Sequence, residues 1–279
     1  MTLYKRPTYY DLPISVEDSP EEVQLAFDST AGDVLQLKYD GHWVQVSCDG
    51  GPTAKVFSRT GNLRTECAQP FHRAEYLGEY IFGTEWAETS PLKGQIVLFD
   101  ILEFGDEKLL DKPYSFRYAL LKRLQSTSSL PENCQVAPCF QKSIAGTIWR
   151  DLVMTEKVEG LILRDSQDSY HEALWRAKWK LQDDFVIVDV NPGKGKHYGR
   201  LGSVGVGLYV KGKLVKLMDV GGGFTDDERE WLWSRRSTLP GKVITVEGRA
   251  RFKSGALRSP NFIAFRDDKH PFECVWKKT

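Results

Sequence analysis

Lys38-Tyr39-Asp40-Gly41 follows the apolar run Val34-Leu35-Gln36-Leu37 and precedes Val44-Gln45-Val46. A strand, an Asp-Gly turn and a second strand are the ordinary reading of such a stretch, with the lysine solvated at the strand end. The same residues also describe a candidate covalent nucleophile with a carboxylate two positions on. At an ordinary lysine pKa of ~10.4, fewer than about one side chain in a thousand is neutral at pH 7, so a nucleophilic lysine needs neighbouring cations or desolvation. Those helpers must come from elsewhere in the chain.

The 279 residues suffice for one large domain or two smaller ones, each with its own core. Hydrophobic residues make up 41% and charged residues 27%, an ordinary composition for a globular protein. The 38 Lys and Arg balance 38 Asp and Glu, so any nucleic-acid surface has to be local. Cys48, Cys67, Cys134, Cys139 and Cys274 are odd in number and contain no Cys-x-x-Cys spacing, which disfavours a disulfide framework and a zinc site. The opening Met1 to Pro7 lacks a basic segment followed by an apolar one, and no later run is long enough to span a bilayer. The expectation is a cytoplasmic monomer in a reducing compartment, with no membrane contact and no obligate protein partner.

Working outward from Lys38, Ser19-Pro20-Glu21-Glu22 carries an N-cap, a proline in the first turn and early acids, opening a helix through Phe27. Thr53 to Ser58 reads as a strand followed by the turn Thr60-Gly61-Asn62. Gln95 to Leu102 reads as a strand buried on both faces, Ser115 to Leu124 as a helix, and Val158 to Arg164 as a strand. From Asp184 onward short strands punctuated by glycine dominate: Phe185 to Val190, Ser203 to Val210, Leu214 to Asp219, Val243 to Arg251 and Asn261 to Phe265. One helix, Thr225 to Arg235, interrupts them, with Glu228 completing a capping box on Thr225. The pattern predicts an α+β chain: a first domain of sheets and helices over 1–183, then a small all-β barrel of the OB type over 184–279. Between Asn191 and Lys216 stand Lys194, Lys196, Arg200, Lys211, Lys213 and Lys216 with no acid in the interval, interleaved with glycines and Tyr198. A solvated face is one reading of that run; contact with a phosphate backbone is the other and the preferred one.

The residues able to do chemistry fall in a fixed order. Lys38 is followed by Phe57-Ser58-Arg59-Thr60-Gly61, Gly78-Glu79-Tyr80-Ile81-Phe82-Gly83 and Phe99-Asp100-Ile101-Leu102. Then come Glu159-Gly160-Leu161-Ile162-Leu163-Arg164, Trp175-Arg176-Ala177-Lys178-Trp179-Lys180, and lastly Arg258 with Phe265-Arg266-Asp267-Asp268-Lys269. In this order the chain closely resembles the ATP-dependent DNA ligases of the covalent nucleotidyltransferase superfamily, in a compact two-domain form. The resemblance covers nearly the whole sequence. It implies an ATP-grasp-like nucleotidyltransferase domain of antiparallel sheets and helices over 1–183, then the OB-fold domain. It also implies ATP as co-substrate, AMP carried covalently on Lys38, Mg2+ (or Mn2+) as the metal, and nicked duplex DNA as the partner whose 5′-phosphate and 3′-hydroxyl are joined.

The same resemblance distributes roles. Lys38, Asp40, Glu159, Lys178 and Lys180 are the expected catalytic residues. Lys178 and Lys180 alternate on a strand, so both should point to one face, neutralising the α-phosphate and discouraging a further positive charge on Lys38. Glu159, with Glu79, is the expected metal ligand, since a carboxylate suits a hard cation. Adenine is expected between Phe99 and Ile162, both of which also suit a core. Gln36 or the adjacent backbone of Leu37 should read the base edge, Arg59 and Glu79 should approach the ribose, and Arg164 should support the site. Arg266 and Lys269, with Asp268, should orient the leaving pyrophosphate. Arg59, Lys194, Lys196, Arg200 and Arg258 are the expected DNA contacts.

Two departures stand out. The family usually has an arginine two residues after the Asp-Gly pair, where this chain has Trp43 following His42; that tryptophan is either core or a stacking surface. No long insertion is present between Asn191 and Leu201, so DNA binding is expected to be weak and salt-sensitive. Rival readings are an RNA ligase or mRNA guanylyltransferase of the same superfamily, and a non-catalytic nucleic-acid-binding module. The presence of Lys38, Glu159, Lys178 and Lys180 weighs against the module.

Overall fold

The computed structural model describes residues 3–14, 18–68, 71–155, 157–170, 174–249, 251–252 and 254–276. Met1 and Thr2, in the expected leaderless start, and Ala250, in the expected strand Val243 to Arg251, lie outside the described residues. Two compact units divide the chain, Met1–Lys178 and Trp179–Thr279. The division precedes the expected Asp183/Asp184 junction, which falls inside a continuous strand.

In the first unit the elements run β1 (Tyr9–Asp11), α1 (Pro20–Asp28), β2 (Val34–Lys38), β3 (His42–Asp49), β4 (Thr53–Ser58), β5 (Leu63–Ala68) and β6 (Arg73–Tyr80). They continue α2 (Glu85–Thr89), β7 (Ile96–Phe104), β8 (Glu107–Lys108), α3 (Tyr114–Ser126), β9 (Cys134–Val136), β10 (Cys139–Gln141), α4 (Ala145–Ile148), β11 (Gly160–Arg164) and β12 (Leu174–Lys178). Helix α1 starts where the sequence predicts: the Ser19 hydroxyl accepts from the Glu22 N–H at 3.2 Å and the Glu22 carboxylate accepts from the Ser19 N–H at 2.7 Å. One sheet has the order β5-β4-β3-β6-β7-β8, with β9 beside β7. Its buried Val44, Val46, Val56, Tyr76, Leu98 and Ile101 pack with Leu121 and Leu124 of α3.

The second sheet of this unit has the order β1-β12-β11-β2-β10. Three of its strands carry the chemistry. β2 pairs antiparallel with β11, and β11 pairs antiparallel with β12, so Lys38, Gly160 and Lys178 lie opposite one another across three adjacent strands. Gly160 makes this possible, because a Cβ there would lie 2.0 Å from the Ala177 carbonyl oxygen.

The second unit holds β13 (Leu181–Pro192), β14 (Leu201–Val210), β15 (Lys213–Val220), α5 (Asp226–Ser234), β16 (Val243–Gly248) and β17 (Asn261–Phe265). Their order is β15-β14-β13-β16-β17, an open five-stranded sheet by strand pairing. Two parallel bridges, Tyr209 to Val275 and Gly222 to Asn261, add to the strand ladders of this unit. Phe185, Ile187, Val206, Leu208, Ile244 and Val246 form its core, covered by Leu232 of α5. The fold class is thus α+β, as expected. No described helix is long and apolar enough to cross a membrane.

Candidate active site

Glu159 holds Lys38 at both ends. Its backbone N–H donates to the Lys38 carbonyl oxygen at 2.7 Å, and its Oε2 accepts from Lys38 Nζ at 2.5 Å. The other carboxylate oxygen, Oε1, lies 3.4 Å from Lys178 Nζ. The glutamate side chain is only 6% exposed, against 12% for Lys38 and 15% for Lys178. Two ammoniums on one desolvated carboxylate leave this cluster with a net positive charge, and a low local dielectric strengthens its pull on an anion.

The turn after Lys38 brings in Glu79. Gly41 is demanded by space and not by a left-handed backbone: a Cβ would lie 2.6 Å from the Tyr80 carbonyl oxygen and 2.9 Å from Glu79 Cγ. Burial is the main cause that pushes the Glu79 carboxyl up to about 7, while the charges of Lys38 and Arg6 and a hydrogen bond from the Gly41 N–H act the other way. Its field also includes Glu159, so Lys38, Glu79 and Glu159 share one neighbourhood. Asp40 is buried, and its backbone carbonyl accepts from the Thr84 hydroxyl at 3.1 Å. Trp43 resolves as core: it is 7% exposed and packs with Tyr4, Leu77, Leu102 and Tyr170. Arg59 is exposed in the turn after β4.

The residues assigned to the base divide. Phe99 is half-buried where its neighbours in β7 from Ile96 to Leu102 are buried, and Ile162 is the half-buried residue of β11. That is the exposure a wall of a pocket requires. Gln36 faces the interior. It is 3% exposed and donates to the Tyr114 hydroxyl at 2.8 Å, which commits its amide to the interior. Pairing of β2 with β10 ends at Gln36, one residue before Leu37. Arg164 is buried, donates to Asp100 Oδ2 at 3.3 Å, and lies 4.1 Å from the Tyr114 ring centroid.

A supporting network is one that the linear sequence conceals. Arg117 donates through Nε and Nη2 to the two oxygens of Asp100 at 2.7 and 3.0 Å, and the Tyr114 hydroxyl donates to the Phe99 carbonyl at 3.2 Å. Asp100 thereby ties α3 and Arg164 to the strand that carries Phe99. A signal for it exists: Arg117 occupies the face of α3 otherwise built from Tyr114, Leu121 and Leu124. A charged residue on a core face needs a buried partner.

β12 ends at Lys178, two residues before Lys180. Lys180 belongs to the second unit, where its Nζ lies 3.0 Å from Glu247 Oε1. In that unit Asp184 gathers the C-terminal motif: its Oδ2 accepts from Arg266 at 2.7 Å and from Lys269 at 2.9 Å, and its Oδ1 accepts from the Thr245 hydroxyl at 2.6 Å. Burial raises the Asp184 carboxyl, but the hydrogen bonds from Lys269 and Thr245 and the charges of Lys269 and Arg266 outweigh it and leave the group below its ordinary value. Arg266 also grips both oxygens of Asp268.

The basic run is partly neutralised. Arg200 lies 3.8 Å from Asp226 and 3.5 Å from Glu230 of α5, and Lys216 lies 2.9 Å from Asp189 and 2.8 Å from Asp219. Lys194 and Lys196 are exposed, Tyr198 is 86% exposed, and Arg258 is half-buried.

Comparison with known proteins bears on this arrangement. Residues 83–181 match the model of the ATP dependent DNA ligase domain. A DNA ligase of Thermococcus onnurineus is 27% identical over 316 aligned positions, covering 94% of this chain and 56% of that protein. One of Thermococcus fumicolans is 28% identical over 215 positions, covering 68% and 38% respectively. The chain therefore spans roughly half the length of these curated relatives or less. In fold, it resembles a solved Lig E DNA ligase described as binding DNA with a minimal scaffold, at 19% identity, with 95% of this chain and 100% of that one covered and a TM-score of 0.63.

Proposed function

We propose that this chain, which carries an ATP-dependent DNA ligase domain over residues 83–181, is a DNA ligase that seals 5′-phosphate/3′-hydroxyl nicks in duplex DNA through a Lys38-AMP intermediate. The observation that carries the proposal is the pairing of Lys38 and Lys178 with the two oxygens of buried Glu159. Lys38 Nζ attacks the α-phosphorus of ATP and pyrophosphate leaves; AMP then passes to the 5′-phosphate of the nick, and the 3′-hydroxyl displaces it. Glu159 Oε2 is the acceptor at hand for the ammonium proton, at 2.5 Å. Lys178 supplies the positive charge for the α-phosphate, so the protein contributes mainly position and electrostatics. Phe99 and Ile162 are the adenine walls in this reading, with the backbone near Leu37 at the base edge.

Glu159 and Glu79 are the carboxylates that would hold Mg2+ (or Mn2+), which when bound would offset phosphate charge. Their hard oxygen donors fit such an ion. No group of at least three His, Cys, Asp or Glu side chains among the described residues is placed to hold a metal, so phosphate oxygens and water would complete the shell.

We read the second unit as an OB-fold domain. An order of β15-β14-β13-β16-β17, a helix between the third and fourth of these strands in sequence, and the parallel Gly222–Asn261 bridge support that reading. Arg266 and Lys269 are its pyrophosphate-orienting residues, held by Asp184; Lys180 stays beside Lys178 in the proposed catalytic set. Exposed Lys194 and Lys196 are the preferred DNA contacts, with Arg59 and Arg258 secondary. Monomeric action in a reducing cytoplasm belongs to the same proposal. The relatives' names favour DNA ligase over RNA ligase or guanylyltransferase.

Incubation with α-labelled ATP is expected to label the protein, and Lys38→Ala to abolish the label. Labelling that survives Lys38→Ala, or that only GTP produces, would overturn the assignment.

A further inference from the structure

We propose that Arg6 is a phosphate-contacting residue of this active site, supplied by the N-terminal segment; the inference rests on the nucleotidyl-transfer reading above. The segment is fixed on both sides of Arg6. The Tyr4 N–H donates to Gln45 Oε1 at 2.9 Å, the Tyr4 ring packs in the buried cluster of Trp43, Leu77 and Tyr170, and the Lys5 carbonyl accepts from the Tyr170 hydroxyl. Beyond it, the Thr8 carbonyl accepts from the Leu174 N–H at 2.9 Å, and Tyr9 begins the strand paired with β12. A side chain held between two such anchors has a defined place.

That place shares a neighbour with Lys38: Tyr4 packs with Trp43, and Trp43 lies opposite Glu79 across β3 and β6. The Arg6 charge reaches the Glu79 carboxylate, which the charges of Lys38 and Glu159 reach as well. The guanidinium carbon lies 5.4 Å from the Tyr9 ring centroid, and Arg176 lies 5.3 Å from the same ring. Arg176, in turn, feels the charge of Glu159. Arg6 differs from the other cations here in lacking a carboxylate. Lys38 and Lys178 share Glu159, and Arg176 is paired with Asp11. Arg6 has no ion pair or side-chain hydrogen bond among the described residues, and its Nε is buried without an acceptor.

A buried guanidinium N–H with no acceptor is uncommon, and it calls for a partner that the folded chain does not supply. The planar donor fork of arginine matches two oxygens of one phosphate, and an active site for nucleotidyl transfer must hold a phosphate beside the nucleophile. Arg6 is therefore assigned to that group, which is either a phosphate of ATP or the 5′-phosphate of the nick.

The test compares the 279-residue chain with Arg6→Gln, which keeps most of the aliphatic stem over Tyr9. Tripolyphosphate, adenosine, and nicked duplexes ending in 5′-phosphate or 5′-hydroxyl are titrated by calorimetry. Arg6→Gln is expected to weaken one phosphate ligand about tenfold with adenosine binding unchanged. Loss confined to tripolyphosphate identifies the nucleotide as the source; loss of the preference for a 5′-phosphate identifies the DNA. Equal affinities for both would overturn the assignment. Arg6→Lys, which keeps the charge, should bind between the two, and affinities that follow melting temperature in place of charge would also overturn it. A wild-type protein that forms no AMP adduct would sink the ligase reading instead, and the tripolyphosphate comparison would still decide Arg6.

Discussion

Glu79 is the residue whose protonation most directly reports the state of the site. Burial lifts its carboxyl from 4.5 to about 7, so the folded protein holds that proton more tightly than the unfolded chain. The sign follows: its contribution to stability is fully present below about pH 4.5 and is lost as pH rises through about 7. Glu79→Gln is expected to flatten that part of the fall in Tm between about pH 5 and about pH 8, as read by thermal denaturation of both proteins. An unchanged slope would show that Glu79 is not desolvated. Lys38, Glu159 and Lys178 could be named from the ordered motifs that carry the family resemblance, and they meet about one carboxylate at 2.5 and 3.4 Å. Gln36 and Trp43 were not legible, because nothing in a single strand tells which polar tip turns inward toward a partner such as Tyr114.

Strand β11 illustrates the element scale. Its Gly160 sits opposite both Lys38 and Lys178, and its closeness to the Ala177 carbonyl leaves no room for a methyl group. Gly160→Ala is expected to destabilise the protein by about 1–3 kcal/mol, because β11 and β12 must part, and to slow AMP labelling by displacing the adjoining Glu159. Denaturant titration together with initial labelling rates checks both parts. A variant as stable and as fast as the wild type would contradict the close approach. Strand existence was readable from apolar runs and turn residues, and most bounds fell within a few residues of those expected. The end of β12 was not readable. Trp175 to Lys180 alternates as a strand does, yet the element stops at Lys178, and Lys180 finds Glu247 instead. The Asp100–Arg117 link between β7 and α3 was equally hidden, since the two residues meet only after the helix packs on the sheet.

Across the whole molecule, equal numbers of acids and bases conceal an uneven distribution. The run from Asn191 to Lys216 is basic in sequence, but folding supplies Asp226 and Glu230 to Arg200, and Asp189 and Asp219 to Lys216. Sequence separation hid Asp189, Asp226 and Glu230, whereas Asp219 lies three residues from Lys216, just past the acid-free interval. Lys194, Lys196, Lys211 and Lys213 are the exposed lysines of that run outside these pairs, and the first two stand just before exposed Tyr198. Replacing Lys194 and Lys196 with alanine is expected to weaken nick binding and to lower the slope of log affinity against log salt by about 0.9 for each phosphate no longer neutralised. Binding measured across a salt series checks this; an unchanged slope would remove both lysines from the DNA surface.

The carboxylate shared by Lys38 and Lys178 has an electrophoretic corollary. In the proposed reaction, joining AMP to Lys38 would convert an ammonium into a phosphoramidate, which removes one positive charge and adds about one negative charge. Glu159 is then left with Lys178 as its ammonium partner. In a chain with a formal net charge of +0, a displacement of about two charges is large in proportion. Isoelectric focusing of the freshly purified protein should therefore resolve two bands, the more acidic collapsing onto the other after incubation with pyrophosphate, so that the fraction already carrying AMP can be read without a radioactive label.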